Sequence, residues 1–255
     1  MMKNTKYIMA NWKMNPDTGE EAKSILTEIK KRLKAIKNAK IVICPPFVFT
    51  NLAKNILEKS GLDLGVQDVY IGQGNAHTGE VGIEMIKSLN AKYIMVGHSE
   101  KKAAGETEET ISIKVAGVIK NNLKVILCIG EKERNECGDY FQEIEKQIIS
   151  ALSKIQKKFA GNIIIAYEPI WAIGKSEKEA INSEKLQEMV IFIRKILSNI
   201  VGHEKAENIP ILYGGSVNKN NAEDLIKEGR VNGVLVGRES LDPKNFVDMV
   251  KSILN

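Results

Sequence analysis

Ile163-Ile164-Ile165-Ala166-Tyr167-Glu168-Pro169-Ile170-Trp171-Ala172-Ile173-Gly174 sets a near-continuous apolar run against a carboxylate, a proline and an apolar loop. A strand that is apolar on both faces is buried on both, as in a parallel sheet covered by helices. Seven comparable runs lie at 7–10, 41–44, 64–66, 93–96, 125–129, 211–213 and 234–236, so the chain carries eight candidate strands. The segments between them read as helices. Leu186, Met189, Val190, Ile193, Leu197 and Ile200 repeat at three-and-four spacing, which puts them on one helical face. Phe246, Met249, Val250 and Ile253 do the same after Asp242-Pro243, an N-cap followed by a proline at the first helical position. Eight alternations favour an α/β architecture closed as a (β/α)8 barrel, one domain over 1–255. An open doubly wound sheet is the competing arrangement, because alternation alone does not establish closure.

The bulk properties agree with such a core. Of 255 residues, 43% are hydrophobic and 27% charged, the make-up of an ordinary globular domain. The net charge of +5 arises from 37 basic and 32 acidic side chains interspersed along the chain, without the concentrated basic block of a nucleic-acid binder. Cys44, Cys128 and Cys137 are odd in number and lack paired close spacing, which points away from a disulfide framework or a zinc knuckle. His77, His98 and His203 show no metal-ligand spacing either, so neither a metal nor another cofactor is expected. No stretch approaches the roughly 18 apolar residues of a membrane span, and the N-terminus has no signal-like apolar segment. A cytoplasmic protein is the expectation.

In a barrel of this kind the loops leaving the strand C-termini form one mouth, and reactive groups gather there. Lys13, within Asn11-Trp12-Lys13-Met14-Asn15 after the first strand, would bring fixed positive charge to a phosphorylated substrate or a developing oxyanion. His98 follows the fourth strand beside a helical turn, where the positive end of the helix disfavours the imidazolium form. Glu168 ends the sixth strand next to an apolar loop able to exclude water, a setting suited to taking a proton from carbon. Gly214-Gly215-Ser216 and Gly237-Arg238 end the last two strands, where peptide N–H groups can converge on phosphate. Residues 68–80, from Asp68 to Glu80, form a polar loop longer than its neighbours.

Taken together, NWKMN at 11–15, GHSE at 97–100, CIGE at 128–131, AYEPIWAIG at 166–174 and YGGS at 213–216 closely resemble the triosephosphate isomerase family, in order and over essentially the whole chain. The resemblance implies a single TIM-barrel domain acting as an aldose–ketose isomerase of glycolysis and gluconeogenesis. Its reaction would interconvert dihydroxyacetone phosphate and D-glyceraldehyde 3-phosphate through an enediolate. That family is itself the standard illustration of a glutamate base working with an uncharged histidine, so these roles are carried over from it rather than deduced from spacing. Glu168 becomes the base, His98 the electrophile and Lys13 the charge-stabilising cation with Asn11 alongside. Gly174, Ser216, Gly237 and Arg238 become phosphate-binding positions, and Glu100 and Cys128 stand behind the reacting groups. The loop from Asp68 to Glu80 resembles the family's dimerisation loop, implying a homodimer.

Four positions depart from the family pattern. Lys101-Lys102-Ala103-Ala104-Gly105-Glu106 is one residue short and lacks a paired arginine and an aromatic. Asn232 replaces an aspartate, Lys175-Ser176-Glu177 replaces the usual downstream hinge of the loop after Glu168, and Arg238 replaces a glycine. The last two keep an alternative open, an isomerase of a related ketose such as a tetrulose phosphate. A phosphate-binding barrel without turnover and a metal-dependent aldolase are weaker readings, since the former needs no Lys13–His98–Glu168 set and the latter needs a ligand cluster.

Overall fold

The computed structural model describes residues 5–33, 38–172 and 181–254. Its eight strands are β1 (Lys6–Asn11), β2 (Ala39–Cys44), β3 (Asp63–Val66), β4 (Tyr93–Val96), β5 (Lys124–Ile129), β6 (Ile163–Tyr167), β7 (Ile211–Tyr213) and β8 (Gly233–Val236). Each contains the run assigned to it from sequence. Every strand pairs in parallel with the next, and β8 returns to pair with β1 through Ile8↔Val234 and Ala10↔Val236. That last pairing closes the barrel and removes the open-sheet alternative.

Alternation along the strands divides the core in two. On β6, Ile163, Ile165 and Tyr167 join the large cluster between barrel and helices, whereas Ile164 and Ala166 join Met9, Met95, Cys128, Leu212 and Leu235 inside the barrel. Side chains of a strand alternate between its faces, so the next inward position after 164 and 166 is Glu168. The carboxylate is therefore directed to the inner side at the C-terminal end of the barrel as a consequence of strand period.

The helices behave as their periodicity predicts. In the helix Ser183–Val201, Leu186, Met189, Val190, Ile193 and Leu197 are buried, while Ile200, in the last turn, is only half-buried against the same core. In the helix Pro243–Leu254, Phe246, Met249, Val250 and Ile253 are buried. Asp242 Oδ1 caps this last helix, accepting from the N–H groups of Lys244 and Asn245 at 2.8 and 2.9 Å. Residues 68–80 form an excursion whose base is tied by Tyr70 N–H donating to Val81 O at 2.9 Å. Near its tip, the Tyr70 ring packs on His77 with centroids 4.3 Å apart. None of the described helices is long and apolar enough to cross a membrane.

Candidate active site

Lys13 has an unusual backbone. Its φ of 54° lies in the left-handed region, which costs a non-glycine residue of order 1–3 kcal/mol unless neighbours hold it. Two side chains do so. Asn11 Oδ1 accepts the Lys13 N–H at 3.0 Å, and Gln67 Nε2 donates to Lys13 O at 2.8 Å and to Cys44 O at 2.9 Å. Asn11 thus sets the direction in which Lys13 leaves β1, and Lys13 Nζ meets Glu100 Oε1 at 2.5 Å.

After β4 the chain turns at Gly97, whose φ is 74°, and the turn delivers His98 to the start of the helix Ser99–Ala103. His98 is the N-cap of that helix, and its Nδ1 accepts the Glu100 N–H at 3.2 Å. A ring nitrogen that accepts carries no proton, so the neutral ring places its N–H on Nε2. That nitrogen points toward Glu168, whose Oε1 lies 3.6 Å away.

Glu168 is held by close backbone packing. Its N–H donates to Ile129 O at 2.7 Å, and two glycines make room for it. A Cβ on Gly130 would lie 1.8 Å from Glu168 O, and one on Gly214 would lie 2.6 Å from Glu168 Cγ. The residue is buried, and Oε2 has no hydrogen-bond partner. Burial pushes the carboxyl above its ordinary range, only partly offset by His98, the Cys128 thiol, Lys13 and Lys102. Cys128 responds in kind: burial, together with the Glu168 charge, holds its thiol well above the usual range.

The sign of this shift fixes a stability test. A carboxyl whose folded-state pKa is raised binds more protons folded than unfolded, so stability falls as pH climbs from the ordinary value of 4.5, and the cost is fully expressed above the folded pKa. Glu168→Gln is therefore expected to melt above the parent at pH 7, with about 2–4 °C for each kcal/mol recovered in a chain of this size. Thermal unfolding from pH 7 down to pH 4 checks this. The gap must close toward acid, and equal melting at pH 7 would refute the burial argument.

The mouth has two lobes that share Asn11, Lys13 and Glu100. One, of about 470 Å³, is also lined by Gln67, Met95 and His98. The other, of about 590 Å³, is lined by Gly215, Ser216, Gly237 and Arg238, with the Arg238 side chain exposed at its rim. Glu168 lines neither lobe and sits behind His98. Gly174 and Lys175-Ser176-Glu177 lie outside the described residues. Among the described residues no cluster of three or more His, Cys, Asp or Glu side chains forms a metal site.

The lysines that replace the family's arginine pair have separate partners. Lys101 Nζ pairs with Asp68 Oδ2 at 2.8 Å, while Lys102 Nζ donates to Gln147 Oε1 at 2.9 Å. Asp68 also takes Lys114 at 2.6 Å; burial alone would raise its carboxyl, and the two lysines override this and hold it below its usual range. At the other departure, Asn232 Oδ1 accepts the Ile211 N–H at 2.9 Å.

Glu131 has a role that sequence reading missed. It is fully buried, and its Oε1 accepts from Tyr167 Oη at 2.8 Å, Trp171 Nε1 at 2.9 Å and Arg134 Nε at 2.9 Å. Tyr167 and Trp171 stand on either side of Glu168, so this oxygen ties down the chain that flanks it, and Ser216 Oγ adds a bond to Ala172 O at 3.1 Å. The available signal was a glutamate placed just past a buried strand in Cys128-Ile129-Gly130-Glu131, the same placement that drew attention to Glu168.

These features define a (β/α)8-barrel protein with a lysine, an imidazole and a buried carboxylate gathered at the C-terminal ends of its strands. A family model described as triosephosphate isomerase matches residues 6–253. The triosephosphate isomerase of Dictyoglomus turgidum is 37% identical over 249 residues, covering 97% of this chain and 99% of that protein. That of Aquifex aeolicus is also 37% identical over 249 residues, with the same coverage of 97% and 99%. That of Alkaliphilus oremlandii is 35% identical over 245 residues, covering 95% and 97%. The chain belongs to the triosephosphate isomerase family.

Proposed function

We infer that this protein interconverts dihydroxyacetone phosphate and D-glyceraldehyde 3-phosphate by proton transfer between adjacent carbons. The observation that carries the chemistry is the His98–Glu168 pair, a buried carboxylate 3.6 Å from an imidazole Nε2 whose other nitrogen is occupied by a backbone N–H. A desolvated carboxylate is a stronger base than a hydrated one, so Glu168 takes the proton from one carbon and returns it to the next. His98 donates from Nε2 to the oxygen that gains charge in the enediolate. Lys13, fixed by Asn11 and Glu100, supplies positive charge to the same region. Ser216, Gly237 and Arg238 line the lobe assigned to the phosphate, with Gly174 as a further contact carried over from the family. Cys128 sits against the base and Glu100 pairs with the lysine.

A coupled assay comparing three-carbon and four-carbon sugar phosphates tests the assignment. Efficient turnover of the triose phosphates is expected, and a clear preference for a tetrulose phosphate would replace it.

We also infer a homodimer, on the basis of the exposed loop spanning Asp68 to Glu80 and of Met14, which is 89% exposed and lines the lobe that contains His98. Sedimentation of the purified chain is expected at twice the monomer mass. A monomer with full turnover would contradict this reading.

A further inference from the structure

Gln147, on the helix Asp139–Leu152, lines neither lobe of the mouth, yet it is buried, only 7% exposed, against the strand end that supports Glu168. Both halves of its amide are used on one residue. Oε1 accepts the Gly130 N–H at 3.0 Å, and Nε2 donates to Gly130 O at 3.0 Å. This is the pairing a neighbouring strand would give, supplied by a side chain where β5 has already ended. Gly130 is also the residue on which the Glu168 carbonyl rests, so close that no Cβ fits between them. On its other side the same Oε1 accepts from Lys102 Nζ at 2.9 Å, and Lys102 lies one turn beyond His98 on the helix Ser99–Ala103.

We propose that Gln147 is a positioning residue for the proposed reaction, clamping Gly130 from behind and joining it through Lys102 to the helix that carries His98. The clamp fixes the separation between base and electrophile. A proton transfer that depends on this separation loses rate steeply with displacements of about 1 Å. Phosphate-lobe residues do not touch Gln147, so ground-state binding is insulated from it. Lys102 occupies a position where the family carries arginine, and its single ammonium serves the clamp as one donor without a second branch. Glu143 lies 3.5 Å from Nε2 at the outer side of the same amide.

The inference rests on the isomerase reading and is tested beside it. Gln147→Met keeps volume and removes both bonds to Gly130; Gln147→Glu keeps the acceptor for the Gly130 N–H and for Lys102 but turns a carboxylate oxygen toward Gly130 O in place of the donor. With glyceraldehyde 3-phosphate well below the melting temperature, Gln147→Met is expected to lose about 10–100-fold in kcat with KM within about twofold. Gln147→Glu is expected to recover part of that loss. A lower melting temperature with unchanged kcat, or a parallel loss in kcat and substrate binding, would overturn the proposal by showing a purely structural role. Should Gln147→Met fail to fold, kcat of Gln147→Glu equal to the parent overturns it. Glu168→Asp in the same series separates the two levels. Impairment there with none at Gln147 defeats only the clamp, whereas no impairment at Glu168 defeats the base assignment itself.

Discussion

Glu168→Asp is expected to fold as the parent does and to lose about a hundredfold or more in kcat, with KM changed by no more than about threefold. The shorter side chain withdraws the carboxylate by one methylene from the position it holds against His98. Nothing in the surroundings lets the backbone follow. The Glu168 N–H is committed to Ile129 O, and its carbonyl is already in contact with Gly130. The lobe proposed to take the phosphate, lined by Ser216, Gly237 and Arg238, does not include Glu168, which is why the loss is expected on turnover rather than on binding. Steady-state kinetics in both directions measure it, and a variant as fast as the parent would end the case for this carboxylate as the base.

Lys13→Met comes second in size. Removing a fixed donor or cation from a developing oxyanion typically costs about 10²–10³ in rate, and Lys13 is the cation shared by both lobes. Stability is expected to hardly move. The Glu100 partner left behind is 59% exposed, so water can solvate it, and the Asn11 and Gln67 bonds that hold the backbone of residue 13 do not involve its side chain. A melting temperature close to the parent's with kcat/KM reduced at least about a hundredfold is the expected pair of results. If kcat/KM survived, the charge would have to come from elsewhere, with Arg238 next in line.

The strands were legible because each is buried on both faces and therefore apolar at consecutive positions, as in Ile163-Ile164-Ile165-Ala166. Closure was not, since the pairing of Ile8 with Val234 joins the two ends of the chain and leaves no local trace. Lys13, His98 and Glu168 stood out because polar groups directly after apolar strands have few structural reasons to be there. Glu131 and Gln147 escaped for a different reason. They act on groups supplied by other elements: Gln147 on a backbone 17 residues away, and Glu131 on rings 36 and 40 residues away. Residue type alone marks neither. The departure at Lys101-Lys102 was visible, but the separate partners of the two lysines, Asp68 and Gln147, were set by the fold.

The return of β8 onto β1 also bears on how this chain can fail. A ribbon sealed to itself offers no free row of peptide groups, so a stray extended segment has nothing on the intact molecule to zip onto. Fibril growth must then recruit chains whose ring has already sprung open, and its pace is governed by how often the seam parts rather than by how crowded the native population becomes.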